Sequence, residues 1–355
     1  MDFKAFFTPA VVAANWTEVA SNRFPYLGVG LFGNKKKSGL DLSWIKGSKG
    51  LPISLMPSTF DAKATFRDRI GVSKMETEMP FFREGVKIKE KDRQDLLRAN
   101  DSNDPYVQAT IDRVFDDVNE LIDAADVVPE RMRMQLLFAE DGNVGIAIKA
   151  NGVDYTYNYD QNGEWKTNNY TALTGEDLWT APETADPLVA LKTAKDAVAA
   201  RTGSNDVYAV MNSYTFNLLS KIKSIKNRYL TMNGMSLGYL TDAEVRNVIK
   251  STTNLEPIVY DKMYRDEDKA VHKFVPDGYV ALIPEGELGS TWYGTTPEEA
   301  DLIGSNTAEV AIVNTGVAIT RIIEEHPVNI NTFASEIVLP SYERMDEVAL
   351  IKVVA

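Results

Sequence analysis

The most regular stretch of the chain lies within residues 104–137, where apolar side chains recur at steps of three and four: Val107, Ile111, Val114, Phe115, Val118, Leu121, Ile122 and Ala125. Asp104 is a good N-cap, and Pro105 suits the first helical position, where its missing N–H costs nothing. The spacing predicts a helix over 104–127 with one apolar stripe. Its opposite face carries Gln108, Asp112, Asp116, Asn119, Glu120 and Asp123. From 105 to 125 such a helix spans ~31 Å at 1.5 Å per residue. Pro129 is expected to stop it and to restart a shorter helix through Leu137. A helix this long with one wet face reads as a spine, and what it supports must come from the flanks.

Before the spine the period changes to two. Ala62, Ala64 and Phe66 alternate with Lys63, Thr65 and Arg67, and Val86 and Ile88 with Lys87 and Lys89. Residues 51–98 therefore read as an outgoing strand, a turn region between Gly71 and Pro80, and a returning strand. A two-stranded ribbon is marginal by itself in water. Eighteen charges between Asp61 and Arg98, ten basic and eight acidic, suit a loop stretched over a partner; a hairpin packed on its own domain is the alternative. The first fifty residues read as an arm. A short helix capped at Thr8 with Pro9 behind it covers 8–21, and then glycines at 28, 30, 33, 39, 47 and 50 break any sustained period. That segment is apolar without being a core element, and such a segment lies along another surface.

Past the spine the elements alternate. Gly152 separates two alternating runs over 143–160, a hairpin signal; Asp186 and Pro187 open a helix that Gly203 closes. A buried strand at 207–211 runs into a helix at 213–222, and a capped helix opens at Thr241 or Asp242. Strands follow within 255–264, at 279–283, within 310–320 and at 347–354. The body is mixed α+β, with an extended arm and loop in front.

Composition removes chemistry rather than adding it. No cysteine is present among 355 residues, so disulfides, thiolate metal sites and cysteine nucleophiles are excluded. Neither histidine, His272 nor His326, stands in a ligand or triad spacing, and Glu324, Glu325 and His326 read as the end of a strand. GVGLFG at 28–33 matches the letters of a dinucleotide fingerprint, yet Asn34 and three lysines follow where a helix must begin, and Asn34 stands where a P-loop lysine would. The start of the chain has no basic n-region, and nowhere do eighteen apolar residues run together, so the chain reads as soluble and unexported, with no membrane partner. The net charge of −13 is unevenly spread: residues 1–98 carry +6 and the remainder −19. Between copies of one chain such asymmetry is complementary; two unrelated solvated surfaces are the other reading. An acidic body argues against a dedicated DNA-binding protein despite Lys35, Lys36 and Lys37.

The order of these parts resembles the HK97-like capsid fold, and within it the lambda-type major capsid protein E family of tailed phages. The resemblance is carried by PSTFDAKATFRDR with EMPFFREGVKIKEKD, by the Asp104–Pro105 pair, by ERMRMQLLFAEDGNVGIAI, by VYAVMNSYTFNLL, and by PIVYDKMY followed by KFVPDGYVALIPEGELGSTWYG. It implies an N-terminal arm over 1–50, an E-loop over 51–98, a P-domain over 99–185 with the spine helix, an A-domain over 186–308, and return strands over 309–355. It implies a non-catalytic shell subunit without cofactors, forming hexamers and pentamers of an icosahedral head. The expected partners are a separate scaffolding protein, since only about fifty residues precede the hairpin, a portal, in some heads a decoration protein, and double-stranded DNA held without sequence specificity. The expected location is the virion, and the host cytoplasm during assembly. E-loop contacts would come from Lys63, Arg67, Arg69, Lys74, Glu76, Phe81, Phe82 and Arg83, and arm contacts from Phe24, Tyr26, Lys35, Lys36 and Lys37. Some relatives of the fold crosslink a loop lysine, for which Lys63 or Lys74 would serve here, though nothing in the sequence requires it. Three rivals remain at this stage: an encapsulin-like compartment, a cytosolic α/β enzyme using GVGLFG for a nucleotide, and a tail or head-completion protein.

Overall fold

The computed structural model describes residues 8–10, 25–46, 73–88, 105–150, 152–234, 239–266, 268–303, 308–325 and 328–355. The chain divides into two units. One draws on Met1–Leu42, Glu76–Met132 and Ser290–Ser341, the other on Ser43–Met75, Arg133–Gly289 and Tyr342–Ala355.

The first unit is built on a fourteen-residue strand, Val328–Ser341. Val317–Glu325 pairs with it antiparallel from Ala318↔Ser335 to Glu325↔Val328, and Phe81–Ile88 pairs with it from Ile337↔Phe81 to Ile330↔Ile88. Its last four residues pair with the strand Gly289–Tyr293, which in turn neighbours Phe32–Lys36. Both faces are covered: from Asn329 to Ser341 every residue is buried except the half-buried Phe333. Leu121 and Ala125 of the spine helix pack on Val317, Ala334 and Val86.

The spine is one helix, Pro105–Leu137, of 33 residues and ~50 Å at 1.5 Å per residue. The expected break at Pro129 does not occur. A proline inside a helix forfeits one hydrogen bond at a cost of about 3 kcal/mol. Here Pro129, Met132, Met134, Leu136 and Leu137 are all buried, and burying such side chains stabilises by about 1.5–3 kcal/mol each. A second correction concerns Asn119, expected on the wet face but only 8% exposed. It lies three residues before the fully buried Ile122 and shares its face, whereas Asp116 and Glu120 are exposed as expected.

The front of the chain also departs from expectation. Residues 32–36 form a strand, and Leu31, Phe32 and Leu42 are buried, so the described part of the arm contributes to a core. The presumed turn region between Gly71 and Pro80 holds a strand, Ser73–Glu78, paired with Asp41–Lys46. The returning strand exists as Phe81–Ile88, with the 328–341 strand as partner. The outgoing strand and most of the helix expected over 8–21 lie outside the described residues.

The second unit holds a five-stranded sheet in the order Tyr170–Ala172, Ala349–Lys352, Tyr279–Pro284, Asp206–Met211, Glu256–Val259. Helices Pro187–Thr202, Ser213–Leu219, Lys223–Asn233 and Asp242–Thr253 bury Leu191, Phe216, Ile225, Val248 and Ile249 with the sheet's Ala209, Val280 and Ile351. Local chemistry fixes their ends. Asp186 accepts from the amides of Leu188 and Val189 with Pro187 behind it, and Gly203 closes the helix at φ 74°. Thr241 and Glu244 form a reciprocal capping box. Gly145–Ala150 and Val153–Asn158 make the expected hairpin, turning through Gly152 at φ 79°.

Candidate assembly surface

The charged residues of the front third were the strongest functional signal in the sequence, and the structure shows where the described ones go. Lys35 Nζ donates to Ser290 Oγ at 2.7 Å and lies 5.5 Å from the centre of the Trp292 ring. Lys36 is paired with Glu299, and Lys37 Nζ donates to the Asp41 carbonyl at 2.7 Å. Arg83 Nη2 is 2.8 Å from Oε1 of Glu298, which is only 2% exposed, and the Arg83 guanidinium covers the Phe333 ring at 5.1 Å. Lys87 Nζ meets Glu324 Oε2 at 3.0 Å, and Asn331 and Asn329 donate to the same carboxylate. Lys87 foremost, then the two amides, hold the Glu324 carboxyl below the ordinary range. Lys36, Arg83 and Lys87 thus find carboxylates of the acidic body inside their own unit. Part of the charge asymmetry is therefore satisfied within one chain.

Tyr26 is half-buried; Glu76 lies exposed in the 73–78 strand; Phe81 and Phe82 are half-buried in the strand that ends at Ile88. Lys74 lies in the 73–78 strand, while Phe24, Lys63, Arg67, Arg69 and Asp104 fall outside the described residues. Pro105 opens the spine helix, and Val107, Ile111, Val114 and Val118 follow along it. Sequence reasoning missed Glu298, Glu299 and Glu324 as partners of the basic front, because each lies more than two hundred residues away along the chain.

The GVGLFG segment has the wrong order of elements for a nucleotide. A helix, Leu27–Leu31, runs into a strand, Phe32–Lys36, the reverse of the strand-to-helix turn that points amides at a pyrophosphate. The Gly28 amide donates instead to the buried carboxylate of Glu130 at 3.0 Å. His272 sits in an exposed hairpin, 2.7 Å from Asp266 Oδ2 and stacked on Tyr264. Among the described residues no group of three or more His, Cys, Asp or Glu is placed to hold a metal, and no helix is long and apolar enough to cross a membrane.

A buried central strand, a long spine helix and a second unit of helices on a mixed sheet define an HK97-like capsid subunit. Three solved structures share the fold. A phage-related protein of Bordetella bronchiseptica RB50 superposes with a TM-score of 0.56 at 13% identity, over 97% of this chain and 96% of that one. The putative capsid protein of a prophage of E. coli CFT073 gives 0.54 at 16% identity over 80% of each chain. The capsid asymmetric unit of cyanophage A-1(L) gives 0.50 at 11% identity over 94% of each. No curated protein matches the sequence. The family model for phage major capsid protein E matches residues 10–353, and the chain belongs to that family. It is a structural, non-enzymatic capsid shell protein of the virion.

Proposed function

We propose that this chain forms the hexamers and pentamers of an icosahedral phage head that encloses double-stranded DNA, assembling in the host cytoplasm with a separate scaffolding protein and around a portal. The observation that carries the reading is the whole-chain match to the major capsid protein E family. The charge pattern supports the rest: a body of −19 repels a polyanion, which suits a container that holds DNA without gripping its sequence. The E-loop residues Lys63, Arg67, Arg69 and Lys74 supply the contacts between neighbours, with the arm residue Phe24 beside them. The division into arm, E-loop, P-domain, A-domain and return strands belongs to the same proposal.

The test is expression of the full chain with and without its scaffolding partner, followed by sedimentation and negative-stain electron microscopy. Closed shells, or free hexamers and pentamers, are the expected products. A monomer or dimer under both conditions, unchanged at every salt concentration, would overturn the proposal.

A further inference from the structure

The two large sheets leave the outer sides of Phe32–Lys36, Phe81–Ile88, Glu309–Val313, Tyr170–Ala172 and Glu256–Val259 without a strand partner among the described residues. A free edge invites another strand, and folds blunt it with charge, with proline or by keeping it short. Phe32–Lys36 carries Lys35 and Lys36, and Phe81–Ile88 carries Arg83, Glu84 and Lys87, all exposed. Glu256–Val259 contains Pro257, which lacks an N–H, and Arg246 Nη1 donates to the Pro257 carbonyl. Tyr170–Ala172 is only three residues long. Glu309–Val313, EVAIV, has none of these devices. Its one charge, on Glu309, is met by Arg321 Nη1 of the paired strand at 3.1 Å, and Val310, Ala311 and Ile312 are uncharged and half-buried.

In an antiparallel pair a residue turns its N–H and C=O either to the partner or away from it, so the ladder with 317–321 leaves alternate residues of this strand directed outward. A charged strand would meet no complementary charge there. A second copy of the same strand fits. Laid antiparallel about a two-fold axis through Ala311, two copies set Val310 against Ile312 and Glu309 against Val313. The two glutamates then stand four residues apart along the ribbon, about 13–14 Å, so no like charges are opposed. Such a contact closes on itself and covers both edges at once.

We propose that Glu309–Val313 is a self-pairing edge: in the shell it joins the same strand of a second copy across a two-fold axis, continuing the sheet from one subunit into the next. The inference rests on the shell reading given above.

The chain has no cysteine, so one introduced thiol reports the contact without background. Directly opposed Cα atoms in an antiparallel pair lie about 4.5–5.5 Å apart, within the roughly 4.4–6.8 Å that a disulfide spans. Shells assembled from Ala311→Cys and mildly oxidised should yield a covalent dimer on a non-reducing denaturing gel. The yield should exceed that from Val310→Cys shells, whose thiols stand opposite Ile312, by about tenfold or more. No more dimer from Ala311→Cys than from Val310→Cys overturns the self-pairing and leaves the shell reading standing; a wild-type chain that forms no shells overturns both. Ala311→Lys gives a second reading that needs no oxidation. It sets two ammonium groups face to face, and shell yield should fall by about tenfold or more while the unassembled subunit keeps its wild-type Tm. Assembly of Ala311→Lys at the wild-type yield also overturns the proposal.

Discussion

Gly85 offers a direct test of whether the 81–88 strand belongs to the fold of its own chain. It lies opposite Phe333 in the pairing with Val328–Ser341. A Cβ on Gly85 would stand 2.4 and 2.7 Å from Cδ1 and Cε1 of Phe333 and 3.2 Å from the Thr332 carbonyl oxygen. Carbon atoms settle at about 3.5–4 Å, so Gly85→Ala forces the ring back by roughly 1 Å. Overpacking of this kind costs about 1–3 kcal/mol. Withdrawing the ring from the Arg83 guanidinium adds about 0.5–1 kcal/mol, which the strand preference for alanine over glycine largely offsets. The net loss is about 1–3 kcal/mol, a fall in Tm of about 3–9 °C for a unit of this size. Calorimetry or circular dichroism on the unassembled chain measures it. Phe333→Leu should relieve part of the clash, so the double variant should lose less than the two single losses combined, by about 0.5 kcal/mol or more. A change of under about 1 °C in Gly85→Ala would show that the strand does not sit in this register within the chain.

Three further outcomes follow from the second unit. Thr241→Ala removes the side-chain half of the capping box and should cost about 1 kcal/mol, read from the urea midpoint. Asn254 caps the same helix at φ 57°, a left-handed conformation, so Asn254→Ala should cost about 1 kcal/mol while Asn254→Gly is near neutral in the same assay. Asp206 gives the pH dependence: its folded value of about 7 lies above the ordinary 3.8, so the folded chain holds the extra proton between those values and stability falls as pH rises through that window. The shift corresponds to about 4 kcal/mol, and urea midpoints for Asp206→Asn should lose that slope; an unchanged slope would assign it to other groups.

Elements whose ends carry their own chemistry were legible in the sequence. Asp186, Pro187 and Gly203 bracket a helix where expected, and Gly152 turns the expected hairpin. What escaped was whatever depended on partners far along the chain. The 328–341 strand, VNINTFASEIVLPS, has no alternation to betray it, because both faces are buried and Asn329, Asn331 and Glu336 are among the covered residues. The helix Lys223–Asn233 buries only Ile225 and has no side-chain cap, so it lacks both the stripe and the boundary signal. Pro129 misled for a related reason: a local rule says stop, and tertiary burial overrules it. At the candidate surface the residue types were legible and their partners were not, since charge alone does not say whether Glu298 or a neighbouring subunit receives Arg83.

The pairing of Phe81–Ile88 with Val328–Ser341 also has a meaning in time. The ribosome completes the first of these strands roughly 240 residues before the matching part of the second; at about 5–20 residues per second that interval is about 12–50 s. Throughout it the early strand lacks its native partner, and the unit that the late strand completes stays open. The growing chain is therefore kept from its finished form until Val328–Ser341 has also been made and closes the first unit in a single register. Translation itself thus delays the moment at which a new subunit becomes competent to join others.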